Sequence, residues 1–367
     1  MPSFPESHTR SAATDAAPAA SAASRPARLG VVVIGRNEMP RLRLALLAAC
    51  RETDRVVYVD SGSTDGSVAF ARRLAVPVVD LDPAFPMNAA RARNAGFDRL
   101  QAEMPDVEYV QFVDGDCELE PGWLEQGVRE LDTQPDLAVV AGRCRERFRA
   151  DSIYNRLCDI EWDVTPGESK ACGGNAMMRA SALRQVDGFN PAIPAGEEPE
   201  LCVRLRQQGW RIVRLDREMV RHDAQMSHFG QWWKRAARAG YAYAQGSSLH
   251  GKPPERHWVR ESRSIWFWGL GVPVTAFGLA PVSGGWSLLV LGGYLVLAGR
   301  VFCHCRRRES HASDAALYTM FTILGKFPQV LGQIRFHAAR LLGRTLSRHE
   351  SLHRSTRVHR MDNASSG

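Results

Sequence analysis

The sequence predicts an α/β fold with a mostly parallel sheet and flanking helices, followed by a C-terminal hydrophobic helical hairpin. From residue 29 onward, short apolar runs alternate with polar turns and amphipathic stretches, a pattern typical of strands joined by crossover helices. Three of the predicted strands end in turns that carry carboxylates. Residues 265–299 contain no charged side chain at all. The alternating pattern predicts the sheet, and the carboxylate-bearing turns predict a site at its edge. The charge-free stretch predicts the hairpin.

The globular part is expected to span residues 29–250, after a tail at 1–28 whose Ala-, Ser- and Pro-rich composition predicts disorder. Its predicted strands, in chain order, are 30–34, 55–59, 76–79, 109–113, 137–148, 172–179 and 210–215. Its predicted helices are 41–50, 67–74, 88–100, 197–208 and 229–245. In parallel sheets ligands bind beyond the carboxyl ends of the strands, so the carboxylate-bearing turns are expected to meet there.

The charge-free stretch predicts a hairpin over residues 260–302, either transmembrane or embedded in the membrane without crossing it. As one helix, the stretch would run about 52 Å, more than a hydrocarbon core of about 30 Å. Pro281 and Gly285 bound a turn-forming segment near its middle. Arginines flank both ends, which places both flanks on the cytoplasmic side of an inner membrane. The catalytic domain is then expected to face the cytoplasm.

The net charge of +7 lies entirely in the C-terminal segment. Residues 303–367 hold 11 Arg and Lys against 4 Asp and Glu, and the rest of the chain is balanced. A positive excess that follows an apolar segment fits anionic lipid, whereas a nucleic-acid binder carries it on a folded domain. We therefore expect a membrane partner and no nucleic acid, and a basic, partly amphipathic segment at 303–367.

Asp114 and Asp116 stand at the end of the predicted strand 109–113, with a glycine between them. Mg²⁺ and Mn²⁺ prefer oxygen ligands and are typically held by one or two carboxylates together with substrate phosphate. The pair therefore predicts a site for Mg²⁺ or Mn²⁺.

Five segments together resemble a membrane-associated, bacterial-type family 2 glycosyltransferase of the GT-A fold, and they occur in the family's order. They are residues 31–38, 58–67, 88–96, 110–119 and 173–212. The resemblance implies an inverting enzyme that moves a sugar from a nucleotide-sugar donor to a lipid-linked or saccharide acceptor. The cation would offset the charge of the leaving diphosphate.

The resemblance also implies roles for particular residues. The donor nucleotide is expected near Glu38, Asp60, Asp65, Arg91 and Asp114. Arg93 either meets phosphate or lies on a solvated helix face.

The cation is expected on Asp114, Asp116 and His222. Asp116 is counted as catalytic, together with Glu198, which stands where the family has its general base. For Glu197 and Glu200 we favour a structural role as partners of the helix dipole.

Two other functions remain open. A nucleotidyltransferase would use metal-binding carboxylates on a similar sheet, but it would want a Gly-rich, basic loop after the first strand, and residues 35–38 lack one. A non-catalytic membrane scaffold would keep the fold, and loss of the acidic residues would favour it. The absence of a GxGxxG motif after the first strand argues against a dinucleotide-binding oxidoreductase.

Overall fold

The computed structural model describes residues 28–307 and 311–343. The strands are β1 (Leu29–Gly35), β2 (Val56–Asp60), β3 (Val78–Asp80), β4 (Tyr109–Asp114), β5 (Cys117–Leu119), β6 (Leu137–Glu146), β7 (Gly167–Glu168), β8 (Ala176–Arg179) and β9 (Arg211–His222). The helices of the globular part are α1 (Arg41–Glu52), α2 (Ser67–Arg73), α3 (Ala89–Glu103), α4 (Trp123–Thr133), α5 (Ile153–Trp162), α6 (Ala180–Gln185), α7 (Glu197–Gln207) and α8 (Phe229–His250).

The C-terminal part is helical. It contains α9 (Val259–Trp266), a π-helical turn (Phe267–Gly271), α10 (Val272–Gly278), a 3₁₀ segment (Trp286–Gly292), α11 (Gly293–Arg306), α12 (Ala312–Leu324) and α13 (Lys326–Leu341). Within the basic, partly amphipathic segment predicted at 303–367, α12 and α13 are separated by Gly325. The predicted tail at 1–28 lies almost wholly outside the described residues, as do residues 308–310 and 344–367 of the basic segment.

The nine strands form one mixed sheet in the order β3-β2-β1-β4-β8-β6-β9-β5, with β7 paired to β9. Neighbours from β3 to β4 run parallel, as do β6 and β9, whereas β8, β5 and β7 pair antiparallel. The sheet is therefore mixed rather than mostly parallel. Apolar periodicity shows that a strand is buried, but it does not show the direction in which the strand runs. The antiparallel direction of β8 therefore could not be predicted from the pattern.

The core lies on both faces of the central strands, and α3 packs on it through glycine. A Cβ on Gly96 would lie 2.3 Å from Cγ1 of Val32, so only a glycine allows α3 to come this close to β1. Val32 of β1 and Phe112 of β4 are fully buried in this core. Because Arg93 lies on the same helix one turn earlier, this packing fixes its distance from the ends of the strands.

The C-terminal helices pack against the globular part at two places. A Cβ on Gly240 of α8 would lie 2.0 Å from the carbonyl oxygen of Gln329, and glycine there lets α8 and α13 cross closely. On α12, the buried Asp314 accepts hydrogen bonds from Arg149 at 2.8 Å and from Arg156 at 2.6 Å. These contacts make α12 and α13 part of one body with the sheet.

The charge-free stretch folds back on itself at residues 279–285. Ser287 donates a hydrogen bond to the carbonyl of Ala276 at 2.7 Å, and the rings of Trp268 and Tyr294 lie 5.4 Å apart. The reversal therefore falls where the sequence predicts it. Within the described ranges, one helix is long and apolar enough to span a membrane, Trp286–Arg306, with a mean hydropathy of 1.7.

Candidate active site

Three carboxylates meet beyond the ends of β1 and β4. The amide of Gly115 donates to the carbonyl of Ile34 at 2.7 Å, which brings the turn after β4 beside the turn after β1. A Cβ on Gly115 would lie 3.2 Å from Cγ of Glu38, so this side chain reaches the same space as Asp116. Burial and the nearby charge of Asp116 raise the pKa of Glu38 to about 6. The convergence predicted from the strand ends is thus present in the structure.

The guanidinium of Arg93 binds the carboxylate of Asp114, the first aspartate of the Asp-Gly-Asp sequence. This guanidinium donates to Asp114 at 2.7 Å and to Glu197 at 2.6 Å, and Arg93 is only 2% exposed. Burial alone would lower the pKa of Arg93, but the two carboxylates raise it. Arg93 therefore does not lie on a solvated helix face. Glu197, which was expected to serve the helix dipole from the first turn of α7, is half-buried and also forms an ion pair with Arg93.

Gly174 and Asn175 complete the support of Asp114. A Cβ on Gly174 would lie 2.7 Å from Oδ2 of Asp114, so the loop before β8 can pass there only without a side chain. The side-chain oxygen of Asn175 accepts the amide hydrogen of Asp114 at 2.9 Å. Asp114 is thereby fixed through both its backbone and its side chain.

His222 lies beside Asp116 because β5 and β9 pair in register, with Cys117 opposite His222. Its Nε2 is 3.4 Å from Oδ2 of Asp116, and its Nδ1 is 3.6 Å from Oε2 of Glu146. The ring packs on Trp162 with centroids 4.3 Å apart. Burial would lower the pKa of His222, but Glu146 and Asp116 raise it.

These residues fit a divalent cation. Asp116 and His222 offer oxygen and nitrogen atoms close enough to bind one ion together with the thiol of Cys117, whereas Asp114, the third expected ligand, is not in this group. Burial raises the pKa of Asp116, and repulsion by Asp114 adds to the increase although His222 and Arg41 oppose it. Carboxylates that lie this close in a partly buried site repel one another, and a bound cation would relieve that repulsion.

The two turns assigned to the nucleotide are held together by side-chain hydrogen bonds. Asp60 accepts from the hydroxyl of Tyr58 and from the amides of Gly62 and Ser63, which shapes its own turn. Asp65 accepts the amide hydrogen of Met39 at 2.8 Å and so joins this turn to the one after β1. The structure gives each of these residues a scaffolding contact, and their expected place beside the donor nucleotide remains a prediction.

Arg91 lies on α3 and is occupied by the preceding loop. Its guanidinium donates to the carbonyls of Asp82 at 2.8 Å and Phe85 at 3.3 Å, and it lies over the ring of Phe85. It therefore shapes the loop at 81–87 beside the nucleotide turns. Its expected contact with phosphate remains a prediction.

Glu198 is buried in the first turn of α7. Its Oε1 accepts the amide hydrogen of Cys172 and, at 3.0 Å, the thiol of Cys202. Neither of these bonds uses Oε2. Gly196, at a φ of +83°, precedes the helix in the left-handed region that favours glycine, and it sets where the first turn begins. The role of Glu198 as the general base remains a prediction.

Several residues of this site were missed or undervalued in the sequence. Glu146, Arg41 and Trp162 surround the second carboxylate and His222 from elements that carry no recognisable motif. Asn175 follows a Gly-Gly pair, and that pair was the only available signal of a close backbone approach.

Comparison with known families identifies the chain. The family model described as glycosyl transferase family 2 matches residues 30–186, and that of glycosyl transferase family group 2 matches residues 109–303, more than half of the chain. The chain belongs to glycosyl transferase family 2. The resemblance that was based on five short segments is thus confirmed.

Two curated members of bacterial origin resemble this glycosyltransferase-family chain. The succinoglycan biosynthesis protein ExoA of Rhizobium meliloti is 30% identical over 173 residues, which cover 44% of this chain and 52% of that protein. The pre-mycofactocin glycosyltransferase of Mycobacterium tuberculosis is 27% identical over 236 residues, which cover 60% and 47%. The chain spans about half the length of these relatives.

Solved structures show the same fold. A mannosyltransferase of Pyrobaculum calidifontis, in complex with GDP-Man and Mn²⁺, superposes with a TM-score of 0.56 at 19% identity, over 84% of this chain and 87% of that one. This likeness confirms the predicted GT-A fold.

Proposed function

We propose that this chain is an inverting glycosyltransferase that uses a nucleotide-sugar donor and a divalent cation held by Asp114, Asp116 and His222. One observation carries the proposal: the half-buried carboxylates of Glu38, Asp114 and Asp116 and the ring of His222 converge at the ends of adjacent strands. Membership of family 2 and relatives named as glycosyltransferases support the same activity. The structural relative that was solved with GDP-Man and Mn²⁺ motivates the choice of donor and cation.

The cation would offset the negative charge of the departing diphosphate. The chain's own residues would position the metal-binding carboxylates and the donor nucleotide. Arg93 fixes the carboxylate of Asp114 through a bond at 2.7 Å. The turns that contain Asp60 and Asp65 form the wall assigned to the base and ribose, and the network between them keeps that wall rigid before the donor arrives.

Glu198 serves in this proposal as the base that accepts the proton of the attacking acceptor hydroxyl. Its two hydrogen bonds hold Oε1, which leaves Oε2 as the atom that takes the proton. Its position in the first turn of α7 stabilises the carboxylate through the helix dipole. Removal of the proton during attack, with departure of the diphosphate from the opposite side, gives inversion.

The membrane part of the proposal is a hairpin whose two flanks share the cytoplasmic side. The helix Trp286–Arg306 is almost wholly exposed in the described structure, as are Phe277 and Leu289 near the turn. Exposed apolar surface of this extent favours lipid as its surroundings. A catalytic domain held at the membrane would meet an acceptor that is itself anchored there.

The experiment that tests the activity incubates the full-length chain with a panel of nucleotide sugars and Mn²⁺ or Mg²⁺. Release of a nucleoside diphosphate supports sugar transfer or donor hydrolysis by this site. Release of pyrophosphate would favour the nucleotidyltransferase alternative. Absence of any donor turnover and of any donor-induced thermal stabilisation would favour the non-catalytic scaffold.

A further inference from the structure

A pocket of about 300 Å³ lies between α8, α13 and the loop that precedes α7. Lys234, Arg238 and Tyr241 line it from α8, Arg335 from α13, and Pro194 from the loop. Its volume is at the lower end of the range for small-molecule sites. None of the carboxylates of the candidate active site lines it, so it is a separate compartment.

The pocket carries an uncompensated positive charge. Lys234, Arg238 and Arg335 all line it, and within residues 28–307 and 311–343 none of the three has an ion-pair partner. In contrast, Arg235 on the same helix is paired with Glu161 at 2.6 Å. The three cations are exposed to solvent, which screens their mutual repulsion, and an anion bound between them would be attracted by all three. Phosphate oxygens suit this set, because Arg binds them through two parallel N–H groups and Lys as a point charge.

The walls of the pocket are held in place by a close helix crossing. Residues 234, 238 and 241 recur at helical spacing and therefore share one face of α8. On α13, a Cβ on Gly332 would lie 2.0 Å from the carbonyl oxygen of Ala237, so the helices approach to backbone contact there. Arg335 follows Gly332 by one turn. The helix backbones that carry the three exposed cations are thus held in a fixed frame.

The loop that lines the pocket leads in sequence to the proposed base and not to the donor turns. This loop wall, Pro194 and Ala195, continues through Gly196 into Glu197 and Glu198 at the start of α7. The turns assigned to the nucleotide follow β1 and β2 and contribute none of the pocket's lining. The short segment at 195–198 therefore links the pocket along the chain to the proposed base.

Two apolar side chains of α13 are exposed and lie next in sequence to residues that line the pocket. Leu331 and Ile334 are exposed, next in sequence to Gly332 and Arg335 respectively. The exposed hairpin lies on the same C-terminal part of the chain, since Gly269 in the π-helical turn contacts the backbone of Lys326 in α13. An anion with an apolar chain would place its charge among the cations and its chain along this surface.

We propose that the pocket between α8 and α13 binds the phosphate group of a lipid-linked acceptor and presents it to the base at the start of α7. This inference rests on the proposed glycosyl transfer for its functional meaning. The phosphate binding itself can be measured without any donor, so failure of one is distinguishable from failure of the other.

The test measures binding of polyprenyl phosphate to the full-length chain in a neutral detergent. The comparison probes are polyprenol of the same length, inorganic pyrophosphate, and phosphatidylglycerol. The variant is the triple substitution Lys234→Gln, Arg238→Gln and Arg335→Gln, with Arg335→Gln alone as a milder change. The matched control removes the same charges elsewhere through three exposed residues outside the pocket: Arg43→Gln, Arg184→Gln and Lys252→Gln.

We expect polyprenyl phosphate to bind the wild type and the control equally, and the triple variant to bind it at least about tenfold more weakly. Arg335→Gln should give a smaller loss at an unchanged unfolding temperature. Equal binding by the triple variant, or equal binding of polyprenol, would overturn the assignment to phosphate. Equal affinity for pyrophosphate would point to free phosphate, and equal affinity for phosphatidylglycerol to general membrane attachment; either result would overturn the acceptor site.

Discussion

The buried guanidinium of Arg93 donates a 2.7 Å hydrogen bond to the carboxylate of Asp114. The same guanidinium donates to Glu197 at 2.6 Å, so it joins the turn after β4 to the start of α7. One carboxylate is proposed to hold the cation, and the other lies beside the proposed base. This single side chain therefore sets the position of the metal site relative to the acceptor side.

Arg93→Lys should lower turnover by about 10²-fold, because lysine keeps the charge but cannot donate to both carboxylates in a fixed geometry. Arg99→Lys is the matched control on the same helix, since Arg99 forms an exposed pair with Glu103. Turnover and the unfolding temperature are measured for both variants. Near-wild-type turnover of Arg93→Lys would show that the link does not position the site.

Glu198→Gln should reduce sugar transfer by roughly 10²–10⁴-fold while donor binding survives, because the amide keeps the size and removes the proton acceptor. Glu197→Gln is its neighbour control and should lose less, since Glu197 acts through Arg93. Single-turnover rates and donor affinity are measured for each. If Glu197→Gln is the inactive variant and Glu198→Gln is not, Glu197 rather than Glu198 is the general base.

Because of Glu200, we expect part of the free energy of unfolding to be lost at acidic pH. Burial alone would raise its pKa, but the hydrogen bond with His250 at 2.8 Å and the contact with Arg204 lower it. A carboxyl whose pKa is lower in the folded state stabilises the fold above its unfolded pKa of about 4.3, and that contribution is lost as the pH falls through the folded value.

Glu200→Gln should therefore reduce the free energy of unfolding at pH 7, by about 3–5 kcal/mol for a broken buried pair. The difference from the wild type should shrink as the pH falls below about 4.3. Denaturant titrations at several pH values measure it, with the exposed Glu125→Gln on α4 as the control. A difference that stays constant down to pH 3 would contradict the linkage.

The hairpin predicts that both flanks of the apolar stretch lie on one side of the membrane. Reporter fusions after Arg263 and after Arg307 should both report the cytoplasm, because translocation of either basic flank is opposed. A tag inserted between Ser283 and Gly284 should be accessible from outside if the hairpin crosses, and inaccessible if it is only embedded. Opposite locations of the two flanks would indicate a single span, and release by alkaline extraction would indicate none.

Most of the strand and helix positions followed from the sequence because buried strands and amphipathic helices leave a periodic pattern. The prediction ended β9 at residue 215, but the strand continues to His222. Charged residues such as Asp216 and Glu218 interrupt the apolar pattern there, although backbone pairing with β6 continues. The short strand β5 was missed as well, since three residues are too few to establish a period.

The site was predictable only where a motif marks it. Asp114 and Asp116 follow a buried strand and stand out, whereas Arg93 could be interpreted either as a phosphate ligand or as a solvated residue. Its burial depends on Gly96 and Gly174, which let α3 and the loop before β8 close around it. Glu146 reaches His222 only because β6 and β9 pair side by side, and that pairing is a long-range property.

The most direct test of the account is the release of nucleoside diphosphate from a nucleotide sugar by wild-type protein and by Asp116→Asn, each with Mn²⁺ and with excess chelator. The account predicts release by the wild type with the metal, loss of release in chelator and recovery on adding the metal back. Asp116→Asn should be inactive under all conditions while it keeps the wild-type unfolding temperature. Undiminished release by the wild type in excess chelator would contradict the metal-dependent mechanism.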